Sequence, residues 1–361
     1  MLLFAATAMG QGVEPGGKAG QPRDPVRTPG VRGLLDPKRD TFLAAHCKKP
    51  PPSNSSRRPV SNTPFESVIS PAIPGVIAGG QRWKLVWQEE GNADGIVGFD
   101  DGSVWIPWQE GGSVVKVNQA GQASEIYTDT YSGAALAANA RGQVFIAERS
   151  LDSAVWMLQP KRRLLANRYN GEPLDCLGSF IFDIAADSKG GVYMTMGRIY
   201  YINAKGTVSG PFGPIAGNGL ILSPDEKTFY ATGRLSTAGT PEDRGALAEG
   251  IVAFDVQVDG SLTHPRQLVD ICMDGLTVDA NGRIYCAGAR VPDPHDPTKS
   301  ISGIGVISPE GKILGLIPEP RALNTLAFGG PDKKTLYGLV SRPINLVAIP
   351  MIAEGNRTRP K

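Results

Sequence analysis

Histidine is nearly absent from this chain, with three residues in 361: His46, His264 and His295. A zinc centre built on several imidazoles is thereby excluded, and any metal is expected to be a hard cation held by oxygen, calcium first. No G-x-G-x-x-G follows a strand pattern, and no G-x-x-x-x-G-K-[ST], H-E-x-x-H or G-x-S-x-G occurs. Dinucleotide, P-loop, zincin and serine-hydrolase chemistry therefore have no support. No apolar run reaches the ~18 residues of a spanning helix, so no membrane span is expected. Charge of one sign is also missing. The chain carries 37 Lys/Arg against 35 Asp/Glu, which argues against a general nucleic-acid binder. Cysteine is scarce and shows no C-x-x-C spacing. Cys47, Cys176, Cys272 and Cys286 are read as buried free thiols, although their even number permits disulfides after export. Long uninterrupted helical stretches are lacking as well, because 45 Gly and 30 Pro are scattered throughout and exclude bundles and coiled coils.

The near-zero balance conceals a split. Residues 1–63 hold ten Lys/Arg and four Asp/Glu, while the remainder is slightly acidic. Residues 1–8 form a short apolar start ending in Ala6-Thr7-Ala8, read as a clipped export signal that implies a periplasmic or secreted protein. Residues 9–65 carry Pro50-Pro51-Pro52 and Ser53-Asn54-Ser55-Ser56-Arg57-Arg58 and read as a disordered basic linker. Residues 356–361 read as a flexible tail.

Residues 66–355 hold the globular unit, and from Gln81 onward one phrase repeats. A short apolar strand enters a turn of Asp, Asn, Gly or Lys, and a second strand follows with an aromatic near its centre. Leu136-Ala-Ala-Asn-Ala-Arg-Gly-Gln-Val-Phe145, Ile184-Ala-Ala-Asp-Ser-Lys-Gly-Gly-Val-Tyr193 and Leu276-Thr-Val-Asp-Ala-Asn-Gly-Arg-Ile-Tyr285 are three of six copies. The aromatic falls at Trp105, Phe145, Tyr193, Tyr230, Tyr285 and Tyr337, a spacing of roughly forty to fifty residues. Six hairpins at that period predict an all-β fold, a six-bladed β-propeller with four strands per blade. The segment Arg82–Trp87 is expected to close the ring by joining the last blade, which protects sheet edges.

A propeller turns the segments before its inner strands toward the central channel. There the copies read Ala93-Asp94-Gly95, Phe182-Asp183-Ile184, Gly217-Asn218-Gly219 and Met273-Asp274-Gly275. Asp94, Asn218 and Asp274 thus offer hard oxygens at one phase of three blades. Asn-Gly and Asp-Gly are also ordinary turn formers. Three at one phase, each separate from the inter-strand turn, point to a shared site.

The phrases Asn218–Tyr230, Ile251–Leu262, Asp274–Tyr285 and Asn324–Tyr337, with the lead-in Ile73–Gly80, resemble the gluconolactonase, senescence-marker-protein and luciferin-regenerating-enzyme family over residues 72–352. The resemblance implies a six-bladed propeller with a divalent metal at one end of the channel, calcium before zinc or manganese, and hydrolysis of a small-molecule lactone. The family's ligand positions match Asn218 and Asp274, and its first carboxylate, a Glu, falls on Asp94, one methylene shorter. An Asn that faces substrate or metal falls on Phe182, beside the retained Asp183. Ala134 and Ala135 stand where related propellers often have Asn-Gly. A less polar pocket is expected. Asp274 is the expected catalytic residue, holding the metal and steering water, with Phe182 and Asp183 lining the substrate pocket. The alternative is a non-catalytic envelope propeller that binds a ligand or protein partner.

Overall fold

The computed structural model describes residues 31–51, 65, 68–215, 217–235, 250–293 and 296–357. The apolar start at residues 1–8 lies outside the described residues, as does most of the tail at 356–361. Six four-stranded antiparallel sheets form a six-bladed β-propeller. Blades 1 to 5 span residues 97–127, 133–166, 183–212, 220–269 and 276–318. Blade 6 takes three strands from residues 325–350, and its outer strand is Lys84–Glu89, which pairs antiparallel with Ile344–Pro350, Lys84 opposite Ala348. The expected closure by the segment ahead of the first repeat is what the ring uses.

Each repeated phrase is the inner hairpin of one blade. The aromatics Trp105, Phe145, Tyr193, Tyr230, Tyr285 and Tyr337 pair with Val97, Ala137, Ala185, Ile221, Thr277 and Ala327, which is the same inner-strand position each time. All six are buried. Turn chemistry sets the register. The Asp187 carboxylate accepts the N–H groups of Lys189 and Gly191, Asp279 those of Asn281 and Arg283, and the Asn139 side chain those of Arg141 and Gln143. One apolar cluster fills each gap between neighbouring blades; Tyr193, Phe229 and Phe254, for example, share the gap between blades 3 and 4.

The glycines after Asp94, Asn218 and Asp274 serve packing between blades rather than a turn. A Cβ on Gly95 would lie 2.6 Å from the Ala135 Cα. One on Gly219 would lie 2.4 Å from the Asp274 carbonyl oxygen, and one on Gly275 2.8 Å from that of Asn324. Each glycine lets the next blade's backbone close on the axis, and the residue before it is thereby brought to the channel mouth.

Two expectations are corrected. The four cysteines are not free thiols: Cys47 is bonded to Cys176 and Cys272 to Cys286. Residues 31–51, within the stretch read as linker, are folded. Arg39–His46 forms an α-helix whose Arg39, Phe42 and Leu43, at i, i+3 and i+4, are buried. Phe42, Leu43 and Cys47 pack with Leu151 of blade 2, and the Gly33 N–H donates to the Arg149 carbonyl at 2.6 Å. The basic average of residues 1–63 hid this short apolar face.

The Cys47–Cys176 link closes 129 residues of chain, enough to remove on the order of 5 kcal/mol of denatured-state freedom. Cys47→Ser with Cys176→Ser is expected to open residues 31–51 to limited proteolysis, leave the propeller intact and lower its melting temperature by several degrees. Digestion identical to that of the oxidised wild type would show that packing alone holds the arm.

Candidate functional site

The loops that enter each inner strand, and those that follow each second strand, gather at one end of the channel. Asp94 reaches this mouth from blade 1. Its Oδ1 accepts the Ser341 hydroxyl of blade 6 at 2.8 Å, and its Oδ2 accepts the Gln109 amide at 3.3 Å and an Nη1 hydrogen of Arg149. The Arg32 guanidinium, from the N-terminal arm, stands 3.8 Å from the same Oδ2 and donates through Nε to the Gln109 Oε1 at 2.9 Å. Burial alone pushes the Asp94 carboxyl up. The charges of Arg149 and Arg32 and the Ser341 hydrogen bond outweigh it and hold the pKa at about 2.

Arg149 follows the second strand of blade 2, and its side chain is 1% exposed. Its Nε donates to the Ile181 carbonyl and its Nη2 to the Phe182 carbonyl at 2.9 Å. The Phe180 ring centroid lies 4.8 Å from its guanidinium carbon. Burial lowers its pKa to about 10 against the pull of Asp94, which leaves it charged at neutral pH.

Across the mouth the Asn218 amide nitrogen donates to the Asp274 Oδ1 at 2.9 Å and to the Met273 carbonyl at 3.3 Å. Glu319, on the segment entering blade 6, adds a second carboxyl that feels the Asp274 charge, and its Oε2 accepts the Leu323 N–H at 3.1 Å. Burial raises the Glu319 pKa to about 7, with the Asp274 charge adding to it and the Leu323 hydrogen bond opposing.

The structure thus brings Asn218 and Asp274 together and gives Asp94 to Arg149. Phe182 stands at the mouth with its ring 4.3 Å from that of Phe180. Asp183 is buried and acts between blades, its Oδ1 accepting the Ile184 N–H at 2.9 Å and its Oδ2 the Leu220 N–H at 3.0 Å. It is a fastener of blade 3 to blade 4 rather than an open pocket wall.

The divalent ion implied by the resemblance needs Asp94 as an oxygen donor. The donor set does not fit there, because both Asp94 oxygens are engaged and two guanidinium groups already face Oδ2. Among the described residues no group of three His, Cys, Asp or Glu side chains is placed to hold a metal. Two surface hollows, of about 230 and 460 Å³, lie on the opposite face among the Asp and Asn turns, away from all of these residues.

Sequence reasoning missed Arg149, Ser341, Gln109, Arg32 and Glu319. A signal existed for three of them. Gln109, Arg149 and Ser341 are each the first residue beyond the second strand of a blade, a phase as regular as the one that yielded Asp94.

Glu319 binds its proton more tightly in the folded chain than in the unfolded one. Its contribution to stability is full below its ordinary pKa of 4.5 and is lost as the pH rises from there through about 7. Glu319→Gln is expected to leave the melting temperature unchanged near about pH 5 and to raise it near about pH 8. Equal shifts at both would contradict the burial of this carboxyl.

A gluconolactonase from Xanthomonas campestris has a similar fold, with a TM-score of 0.62 at 19% identity over 81% of this chain and 99% of that one. A calcium-binding regucalcin from Agrobacterium tumefaciens matches at 0.55 and 17%, covering 75% and 94%. A luciferin-regenerating enzyme matches at 0.55 and 14%, covering 76% and 97%. Among the described residues no helix is long and apolar enough to cross a membrane. The SMP-30/gluconolactonase/LRE-like region spans residues 126–341, well over half of the chain, and the chain belongs to that family.

Proposed function

We propose that this propeller is a hydrolase that opens a small lactone or related ester at the channel mouth, with Glu319 and Asp274 as its working carboxyls. The carrying observation is the placement of Glu319: a half-buried carboxyl in the electrostatic field of Asp274, whose own oxygen is fixed by the Asn218 amide. A carboxyl with a pKa near 7 is matched to general base work at neutral pH. Glu319 takes a proton from the attacking water, and Asp274 orients that water and keeps Glu319 basic through like charge. When the ring bond breaks, Glu319 returns the proton to the leaving oxygen. Family membership and the gluconolactonase fold support the reaction class.

The regucalcin likeness and the family resemblance suggest a divalent metal, calcium above all. The Asp94 donor set does not suit it, so no step here runs through a metal. The Phe180–Phe182 ring pair supports a substrate with an apolar portion beside its ester. Two disulfides support export to an oxidising compartment, periplasmic or secreted. A second reading, a non-catalytic propeller that binds a ligand or protein partner, is favoured by Arg32 of the N-terminal arm, a cation from outside the repeat that faces Asp94 and Gln109 at the mouth.

A panel of sugar lactones, alkyl-substituted lactones and aryl esters tests both. Turnover is expected, highest on the less polar lactones, with kcat/KM rising to a plateau above about pH 7 as Glu319 ionises. Glu319→Gln is expected to lower kcat by about 10²- to 10⁴-fold and remove that pH limb. Asp274→Asn is expected to lower kcat while the circular dichroism stays that of a folded β protein. Saturable binding of a panel member without turnover would establish the second reading.

A further inference from the structure

Four side chains of the chain surround the Asp94 carboxylate. The carboxylate meets Ser341 on one oxygen, and Arg149, Gln109 and Arg32 on the other. Arg149 cannot swing aside without consequence, since its Nε and Nη2 satisfy the carbonyls of Ile181 and Phe182 in a fully buried position. Stripping a buried carbonyl of its donor is unfavourable, and the Phe180 ring covers the guanidinium face on the remaining side. The Gly33 N–H holds the Arg149 carbonyl and a Cβ at Gly33 would lie 3.0 Å from the Leu151 nitrogen, so the arm packs directly on this loop. A divalent ion on Asp94 would need a carboxylate oxygen at roughly 2.3–2.6 Å, beside a positive charge that already bonds to it. Arginine keeps its charge under burial and supplies planar donors that suit one carboxylate and two carbonyls at once.

We propose that Arg149 is the resident cation of this propeller: its guanidinium takes the charge-balancing place at Asp94 that a divalent ion would otherwise fill, and the chain holds no metal there. Arg149 is a positioning residue, tying the mouth loops of blades 1, 2 and 3 through Asp94 and the 181–182 carbonyls. Its role does not depend on turnover, so the test below stands whether or not the chain proves to be a hydrolase.

The experiment compares full-length wild type, Arg149→Met, Asp94→Asn and the double variant, each stripped with a chelator and titrated with calcium and with manganese. Thermal melts and the manganese paramagnetic resonance signal are read. Wild type is expected to melt at one temperature in chelator and in millimolar calcium. Arg149→Met, which keeps the aliphatic volume and removes the charge, is expected to melt lower in chelator. It should then recover with calcium and gain a saturable manganese site that Asp94→Asn abolishes in the double variant. Manganese bound by wild type and unaffected by Asp94→Asn lies elsewhere and supports the proposal. Wild type that binds manganese and loses it on Asp94→Asn overturns it. So does a folded Arg149→Met that gains no manganese. Should Arg149→Met fail to fold, the wild type against Asp94→Asn comparison decides alone.

Discussion

A buried guanidinium at the channel mouth needs the half-buried carboxylate beside it, and the ends of four blades are arranged around that need. Asp94 comes from blade 1, Arg149 from blade 2, the carbonyls of Ile181 and Phe182 from the lead-in to blade 3, and the Ser341 hydroxyl from blade 6. A buried charge without a partner is destabilising, so loss of Asp94 is felt at Arg149 and through it at the 181–182 carbonyls. The constraint propagates. Fixing the 181–182 carbonyls sets where blade 3 begins, and the next side chain, Asp183, carries the register onward by accepting the Leu220 N–H of blade 4. The glycines after Asp94, Asn218 and Asp274 permit the same closeness in the backbone. Charge pairing and close approach thus act on the same few residues at one end of the ring.

The N-terminal arm joins this arrangement from outside the repeat. Its helix packs on Leu151, its cysteine bonds to Cys176 between blades 2 and 3, and Arg32 reaches Asp94 and Gln109. The mouth is therefore built from the propeller and a segment that precedes it. The two carboxyls Asp274 and Glu319 belong to another part of the mouth, at the start of blade 5 and on the segment entering blade 6.

The fold was readable because its signals are periodic. The Asp and Asn turns and the central aromatics recur six times, and the register places all six aromatics opposite equivalent inner-strand residues. Asp94, Asn218 and Asp274 were found for the same reason, since a phase shared by several blades survives in sequence. Their partners were hidden by a different physics. Whether an Asp faces a metal or a guanidinium depends on what another blade contributes some fifty residues away, as Arg149 does to Asp94. The phase of Gln109, Arg149 and Ser341 carries three unlike side chains and no motif. Glu319 is notable only for its burial, which no local pattern records. The disulfide to Cys176 and the short helix Arg39–His46 vanished into the basic, proline-rich average of residues 1–63.

Ring closure through Lys84–Glu89 has a consequence for how the chain is made. Its partner, Ile344–Pro350, lies at the far end of the ring, so blade 6 cannot close until every other blade has been synthesised. Until then the strand Lys84–Glu89 is an unpaired edge waiting beside completed blades, a state that exposes it to pairing with other chains. Nascent chains need protection over that whole interval, and a chain cut ahead of Ile344 forfeits the clasp that joins the first strand to the last sheet.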